Sequence, residues 1–317
     1  MTHDAITVTG LRRSYGPKLV LDGIDLRVPT GSTFALLGPN GAGKTTMVHI
    51  LSTLIPADAG EVRVAGFDVA REPDEVRRRI GVTGQFAAVD NLLTGEENLR
   101  LMADLRHLDR AAARRRIAHL LERFDLGDAA RKPVATYSGG MRRRLDLAMT
   151  LVDEPAVIFL DEPTTGLDPL GRRTVWEIIR QLVAGGVTIF LTTQYLEEAD
   201  QLADRVALLD HGRLVAEGTP AQLKRRIPGG HVLLRFPDAA SLGDAAALLG
   251  AVSRDGGVSR DDDALTLQVP GDGSIGSLKA LIDRLDAAEI EVSDLSIHTP
   301  DLDDVFFALT GHPTKEI

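Results

Sequence analysis

Leu36-Leu37-Gly38-Pro39-Asn40-Gly41-Ala42-Gly43-Lys44-Thr45-Thr46 is the stretch that decides the fold. The apolar run Phe34–Leu37 leading into it predicts a buried strand, and the residues behind it predict a helix from near Gly43 through Ile50. Between them lies the pattern G-x-x-x-x-G-K-[ST] of a phosphate-binding loop. Its glycines let the backbone curl until successive N–H groups point inward around an anion, and the helix N-terminus adds partial positive charge. Lys44 reaches the β- and γ-phosphates as a point charge, and the Thr45 hydroxyl is placed to ligate Mg2+. At average residue frequencies an accidental glycine turn of this form is expected in roughly one chain of this length in a hundred. The strand before and the helix after make accident rarer still. Nucleotide binding is the reading.

Composition narrows the class. The chain has 317 residues, long enough for two domains with real cores. Lys and Arg number 36 against 46 Asp and Glu, a net charge of −10, and no basic stripe stands out. Nucleic acid and anionic lipid are therefore poor partners. With no cysteine there is no disulfide framework and no thiolate metal site, which suits a reducing compartment. Met1-Thr2-His3-Asp4 does not read as a secretory signal, and no window approaches 18 uninterrupted apolar residues, so no bilayer span is expected.

Residues 5–37 hold short alternating runs (Ile6-Thr7-Val8, Leu19-Val20-Leu21, Ile24–Val28), which predict a small antiparallel sheet leading into the buried strand. Beyond the loop, Glu61–Gly66 and Ile80–Thr83 read as strands around a polar helix at Asp74–Arg79. Residues 86–153 are expected to be largely helical, with Thr94 and Glu97 as a capping box opening a helix through Leu105. Arg110–Phe124 has helical apolar spacing, and its run Arg114-Arg115-Arg116 reads as a solvated face. Val157–Leu160 and Val187–Leu191 are continuous apolar strands, which implies a parallel sheet covered on both faces. Helices are predicted over Arg172–Val183 and Leu196–Leu202, then a hairpin turning at Asp210-His211-Gly212. After a linker at about 223–230 the pattern alternates: strand 231–236, helix 240–250, strand or turn 252–260, strand 264–269, helix 275–288, strand 290–298, helix 301–310. This β-α-β-β-α-β order fits a small ferredoxin-like module.

Other stretches carry chemistry. Val157–Leu160 ends in Asp161-Glu162, two acids at the C-terminal edge of a strand, where ligands sit in open α/β sheets. Asp161 would hold Mg2+, and Glu162 would orient and deprotonate an attacking water; the plainer alternative is a pair of acids capping a turn. Tyr137-Ser138-Gly139-Gly140-Met141 opens a helix whose N-cap serine and glycines present free N–H groups to an anion, unless it is simply a capped helix. Asp161–Pro169 forms a rigid turn with a further acid, Asp168. Tyr15 is either a half-buried strand residue or a ring that stacks on a base.

Together, in this order, these motifs resemble the ATP-binding subunit of an ABC transporter over residues 1 to about 222. The loop matches Walker A, Gln85 falls at the Q-loop and Tyr137–Met141 at the LSGGQ signature. Ile158–Glu162 match Walker B, Gly166-Leu167-Asp168 the D-loop and Thr192-Thr193-Gln194 the switch region. More narrowly the chain is similar to the daunorubicin/doxorubicin-resistance type of exporter subunit, through Gly81–Gln85, Tyr137–Met141, Thr192–Asp200 and Leu302–Phe306. The resemblance implies an α/β P-loop NTPase. Its RecA-like core would carry an antiparallel β subdomain and a helical subdomain (about 86–153), followed by an accessory α+β domain over 231–310 and a tail at 311–317.

It also implies ATP and Mg2+ as cofactors. Nucleotide would be held by Tyr15 on adenine and by Gly38, Pro39, Asn40, Gly41, Ala42, Gly43, Lys44, Thr45 and Thr46 around the phosphates. Gln85, Ser138, Gly139, Gly140 and Asp168 complete the nucleotide set, while Thr45, Gln85 and Asp161 are the metal set. Glu162 and Gln194 are the catalytic pair. The expected assembly is a head-to-tail homodimer sandwiching ATP, each copy closing its Ser138–Gly140 tip over the other's phosphates. It would energise a separate membrane permease from the cytoplasmic face, with the region after Gln85, including Leu92 and Leu93, as the docking surface. A hydrophobic drug or antibiotic is the expected cargo. Met141 replaces the signature glutamine, Tyr137 its leucine and Gln194 the switch histidine, so hydrolysis is expected to be slow but real, because an amide cannot carry a proton as imidazole does. A soluble ABC ATPase and an ATP-gated binding subunit remain the alternatives. The accessory domain shows no ligand constellation, and Asp261-Asp262-Asp263 lacks the spacing of a Ca2+ loop.

Overall fold

The computed structural model describes residues 4–85, 87–225, 230–250, 258–271, 274–298 and 301–310. The expected tail at 311–317, half of the linker and most of the 252–260 strand or turn lie outside the described residues. The chain divides into two compact units, Met1–Pro220 and Ala221–Ile317.

In the first unit, β1 (Asp4–Tyr15) and β2 (Lys18–Pro29) form an antiparallel pair, and β3 (Thr33–Leu37) is the buried strand ahead of the glycine loop. α1 (Lys44–Leu51), β4 (Ala59–Val64), β5 (Phe67–Asp68), α2 (Pro73–Arg77) and β6 (Ile80–Thr83) follow. The helical region holds α3 (Gly95–Leu105), α4 (Arg110–Arg123) and α5 (Gly139–Thr150). Then come β7 (Val157–Asp161), α6 (Pro169–Ala184), β8 (Thr188–Thr193), α7 (Leu196–Leu202), β9 (Arg205–Asp210) and β10 (Arg213–Gly218), and α8 (Pro220–Lys224) spans the boundary, all but its first residue falling in the second unit.

Among the described residues two sheets result. One is antiparallel in the order β2-β1-β4-β5, and the other runs β10-β9-β3-β8-β7-β6. In the second sheet β9, β3, β8, β7 and β6 are parallel and only β10 runs against its neighbour. Every residue of β3, β7 and β8 is buried, as their continuous apolar character requires. Phe34, Phe190 and Phe159 stand opposite one another on adjacent strands, with ring centroids 5.6 Å and 5.8 Å apart. They share one core with Met47, Val48, Ile50 and Leu51 of α1 and with the inner face of the antiparallel sheet.

Thr94 caps α3 reciprocally with Glu97, as the local sequence predicts. α6, in contrast, begins before the expected Arg172. Asp168 is its N-cap and Pro169 its first residue, a position where the missing N–H costs nothing. The arginine run on α4 is also not uniformly solvated. Arg116 donates from Nη2 to Leu151 O at 2.6 Å and pairs with Glu154, tying α4 to the end of α5.

The second unit contains β11 (His231–Arg235), α9 (Ala239–Gly250), β12 (Ser259–Asp261), β13 (Thr266–Pro270), α10 (Ile275–Ala287), β14 (Asp294–His298) and α11 (Leu302–Thr310). Its strands lie antiparallel in the order β12-β13-β11-β14. Val232, Leu234 and Leu267 pack with Leu242, Leu249, Leu281 and Leu285 of the helices. Asp261 accepts from the backbone N–H groups of Asp263 and Ala264, so the acidic run is an exposed turn.

Candidate functional site

The C-terminal edges of β3, β7 and β8 meet at one point, because Leu36 and Asp161 both stand beside Thr192 in the strand register. The glycine loop leaves β3 there and is tethered by Gly38 N–H donating to Thr193 O at 3.3 Å. Two glycines are obligatory. A Cβ on Gly38 would lie 2.3 Å from Leu209 O, and Gly43, which precedes α1, holds φ at 113° with its missing Cβ directed at Leu21. α1 has no acidic residue in its first turn, and its leading N–H groups have no intrahelical acceptor.

Lys44 points into the loop and is buried. Its Nζ donates to Gly38 O at 2.8 Å and Pro39 O at 3.2 Å, and stands 3.3 Å from Glu162 Oε1. Burial pulls its ammonium below the usual 10.5, while Glu162 and Asp161 pull the other way. Thr45 Oγ1 donates to Asp161 Oδ2 at 2.9 Å. On the far side of the same carboxylate, Thr192 Oγ1 donates to Asp161 Oδ1. Glu162 leaves β7 with left-handed backbone, φ 48°, a conformation that non-glycine residues adopt at a cost. Its N–H donates to Thr192 O at 3.1 Å and its Oε2 accepts from Thr165 Oγ1 at 3.3 Å. Lys44, Thr45, Asp161 and Glu162 are thus one connected cluster.

This donor set fits a nucleotide with a hard cation. A hydroxyl and a carboxylate, both oxygen donors, stand side by side next to a phosphate-type loop. The described residues hold no group of three or more His, Cys, Asp or Glu able to bind a metal alone. A cation at Thr45 and Asp161 would therefore complete its shell with phosphate oxygens and water, the usual mode for Mg2+.

The remaining expected residues lie on other elements. Ser138 caps α5, its hydroxyl accepting from Met141 N–H at 3.2 Å, with Gly139 exposed and Gly140 half-buried beside it. Tyr137 is buried, and its hydroxyl donates to Ala129 O at 2.7 Å, anchoring the base of that tip. Gln85 is exposed just beyond β6, and Gln194 is half-buried in the turn between β8 and α7. Asp168 spends one carboxylate oxygen capping α6 through Gly171 N–H, at 2.9 Å. Tyr15 is 47% exposed, with the Arg13 guanidinium 4.9 Å over its ring.

Sequence reasoning missed several buried polar residues behind the site. Thr192 was seen only as part of the expected switch region, with no role of its own. Arg143 and Asp146 are buried on α5 as an ion pair 3.2 Å apart, where charge on a helix reads as surface. Glu198, fully buried on α7, accepts from Thr164 Oγ1 at 2.8 Å and Trp176 Nε1 at 3.1 Å.

Comparison with known proteins agrees with this geometry. Residues 21–165 match the ABC transporter family. The chain is 52% identical, over 98% of its length and 97% of the relative's, to the daunorubicin resistance ATP-binding protein DrrA3 of Streptomyces coeruleorubidus. It is 50% identical, over 98% of its length and 94% of the relative's, to the daunorubicin/doxorubicin resistance ATP-binding protein DrrA of Streptomyces peucetius. A solved ATP-binding subunit of an ABC transporter superposes with a TM-score of 0.63 and 31% identity, covering 70% of this chain and 92% of that one.

Proposed function

Because this chain belongs to the ATP-binding subunits of the ABC transporter family, we propose that it hydrolyses Mg2+-ATP to drive export of a hydrophobic, drug- or antibiotic-like compound through a separate membrane-spanning subunit. The observation that carries the reading is the cluster at the strand edges: Thr45 on Asp161, and Lys44 against both the loop carbonyls and Glu162. The relatives' names support the cargo class, which the membrane subunit would select.

In this reading Lys44 and the loop N–H groups neutralise phosphate charge, and Thr45, Asp161 and Gln85 bind Mg2+, which polarises the transferred phosphoryl group when bound. Glu162 orients water and takes its proton; Gln194 donates one hydrogen bond to the γ-phosphate. Tyr15 stacks on adenine. Ser138, Gly139 and Gly140 act on the nucleotide of a second copy, so each site is completed by a partner protomer. Leu92, 90% exposed, with Leu101 and Leu105 on α3, would receive the membrane subunit at the cytoplasmic face. No helix among the described residues is long and apolar enough to cross a membrane. We keep the ferredoxin-like assignment of the second unit as part of this reading.

Glu162→Gln is the test. It should leave Mg2+-ATP binding intact, abolish turnover and trap the dimer; full activity in this variant refutes the mechanism. A second reading, an ATP-gated subunit that barely hydrolyses, is favoured by Gln194 alone. Single-turnover hydrolysis by the purified chain separates the two.

A further inference from the structure

The buried pair on α5 touches more than itself. Arg143 is 5% exposed and Asp146 3%. From Arg143, Nε donates to Pro163 O at 2.7 Å, and Nη1 donates to Gly84 O at 2.8 Å and to Asp146 Oδ2 at 3.2 Å. The other oxygen of Asp146 accepts from Ala88 N–H at 3.0 Å. Pro163 directly follows Glu162. Gly84 and Ala88 stand on either side of Gln85. One ion pair, rooted in the helix whose tip is Ser138–Gly140, therefore holds the residue after the expected general base and both flanks of the expected metal-binding glutamine.

Burial disfavours both charges, against the pull each exerts on the other. Leu145 and Leu147 show that apolar side chains suit the buried face of this helix, and replacing a buried pair by apolar residues is often neutral for stability. Fold stability alone does not explain two charges here. Their backbone partners do: three main-chain groups on two separate segments need one donor fork and one acceptor at fixed positions.

We propose that Arg143 and Asp146 are positioning residues of the hydrolytic cycle, which transmit the placement of the Ser138–Gly140 tip to Gln85 and Glu162. The proposal rests on the reading that Glu162 and Gln85 act at the γ-phosphate. When the tip engages nucleotide on a second copy, α5 moves as a rigid rod and carries the Pro163 and Gly84 carbonyls with it. Lys44 and the glycine loop, the main hold on ATP in this reading, make no hydrogen bond with the pair, so turnover depends on it more than ATP affinity does.

The test is steady-state ATPase kinetics of the full chain, with nucleotide affinity and thermal melting measured on the same samples. In the double variant Arg143→Met/Asp146→Leu neither member of the pair is left buried without the other, so it is expected to fold. Its kcat should fall on the order of tenfold to a hundredfold, as for misplaced reacting groups, with KM for ATP and the melting temperature close to wild type. Arg143→Lys, which keeps a charge but not the fork, should fall in between. The exchanged pair Arg143→Asp/Asp146→Arg should not recover activity, because Gly84 O and Pro163 O still lack their donor. Wild-type kcat in the double variant overturns the proposal. So does recovery in the exchanged pair, or a loss of kcat matched by equal losses of ATP affinity and stability. If instead Glu162→Gln hydrolyses normally in the same assay, it is the assignment of the base that has failed.

Discussion

At Glu198 the carboxyl is walled in on every side, and burial raises it above its ordinary 4.5 against hydrogen bonds from Thr164 and Trp176 and the pull of Arg143. An acid whose folded value exceeds its unfolded one weakens the fold as it ionises: the stability it lends is complete below pH 4.5 and drains away as the pH climbs through the folded value. Glu198→Gln keeps an acceptor for Thr164 and Trp176 and removes the titration. Its melting temperature should vary less with pH above 4.5 than that of the wild type; identical slopes would refute this. Gly38→Ala is a second expectation. With Leu209 O 2.3 Å from the new methyl, the loop must open, and titration with a fluorescent nucleotide should show loss of binding in a folded protein. Lys44, Thr45, Asp161 and Glu162 were legible beforehand because phosphate chemistry fixes their spacing along the chain. Arg143 and Asp146 were not, and Thr192 and Glu198 were seen only as members of motif stretches without their buried roles, since a polar side chain acquires its burial only from partners far away in sequence.

Elements divide along the same line. The start of α3 was readable because Thr94 and Glu97 bond each other within one turn, and Thr94→Ala should cost about 1 kcal/mol in denaturant unfolding. The early start of α6 escaped a reading that took Asp168 and Pro169 as turn residues, although the same pair is a good N-cap and first helical residue. The junction of α3 with Tyr137 was illegible. A Cβ on Gly95 would meet the Tyr137 hydroxyl at 2.3 Å and its ring carbon at 3.3 Å, so the glycine makes room for the tyrosine. Gly95→Ala should therefore destabilise the wild type more than it destabilises Tyr137→Phe. A double-mutant cycle by urea unfolding reads this coupling, expected at roughly 1 kcal/mol or more; strict additivity would show that the two sites do not meet.

On the scale of the whole molecule, the parallel sheet followed from continuous apolar strands, and its strand order did not, because pairing joins segments more than a hundred residues apart, such as Leu36 with Thr192. The first unit has its own core, so a chain ending at Arg225 should melt cooperatively and bind ATP; failure to do either would make the second unit an obligate part of the fold.

Phe34, Phe190 and Phe159 lie along a single row across β3, β8 and β7. A few residues further along, those strands release the glycine loop, the Thr192–Thr193 end and Asp161. The rings act as the keel beneath the chemistry: they set the distance between groups they never touch. A trimmed ring in the middle, as in Phe190→Leu, would loosen all of these moorings together and produce an enzyme whose failure grows with warmth rather than with any missing ligand.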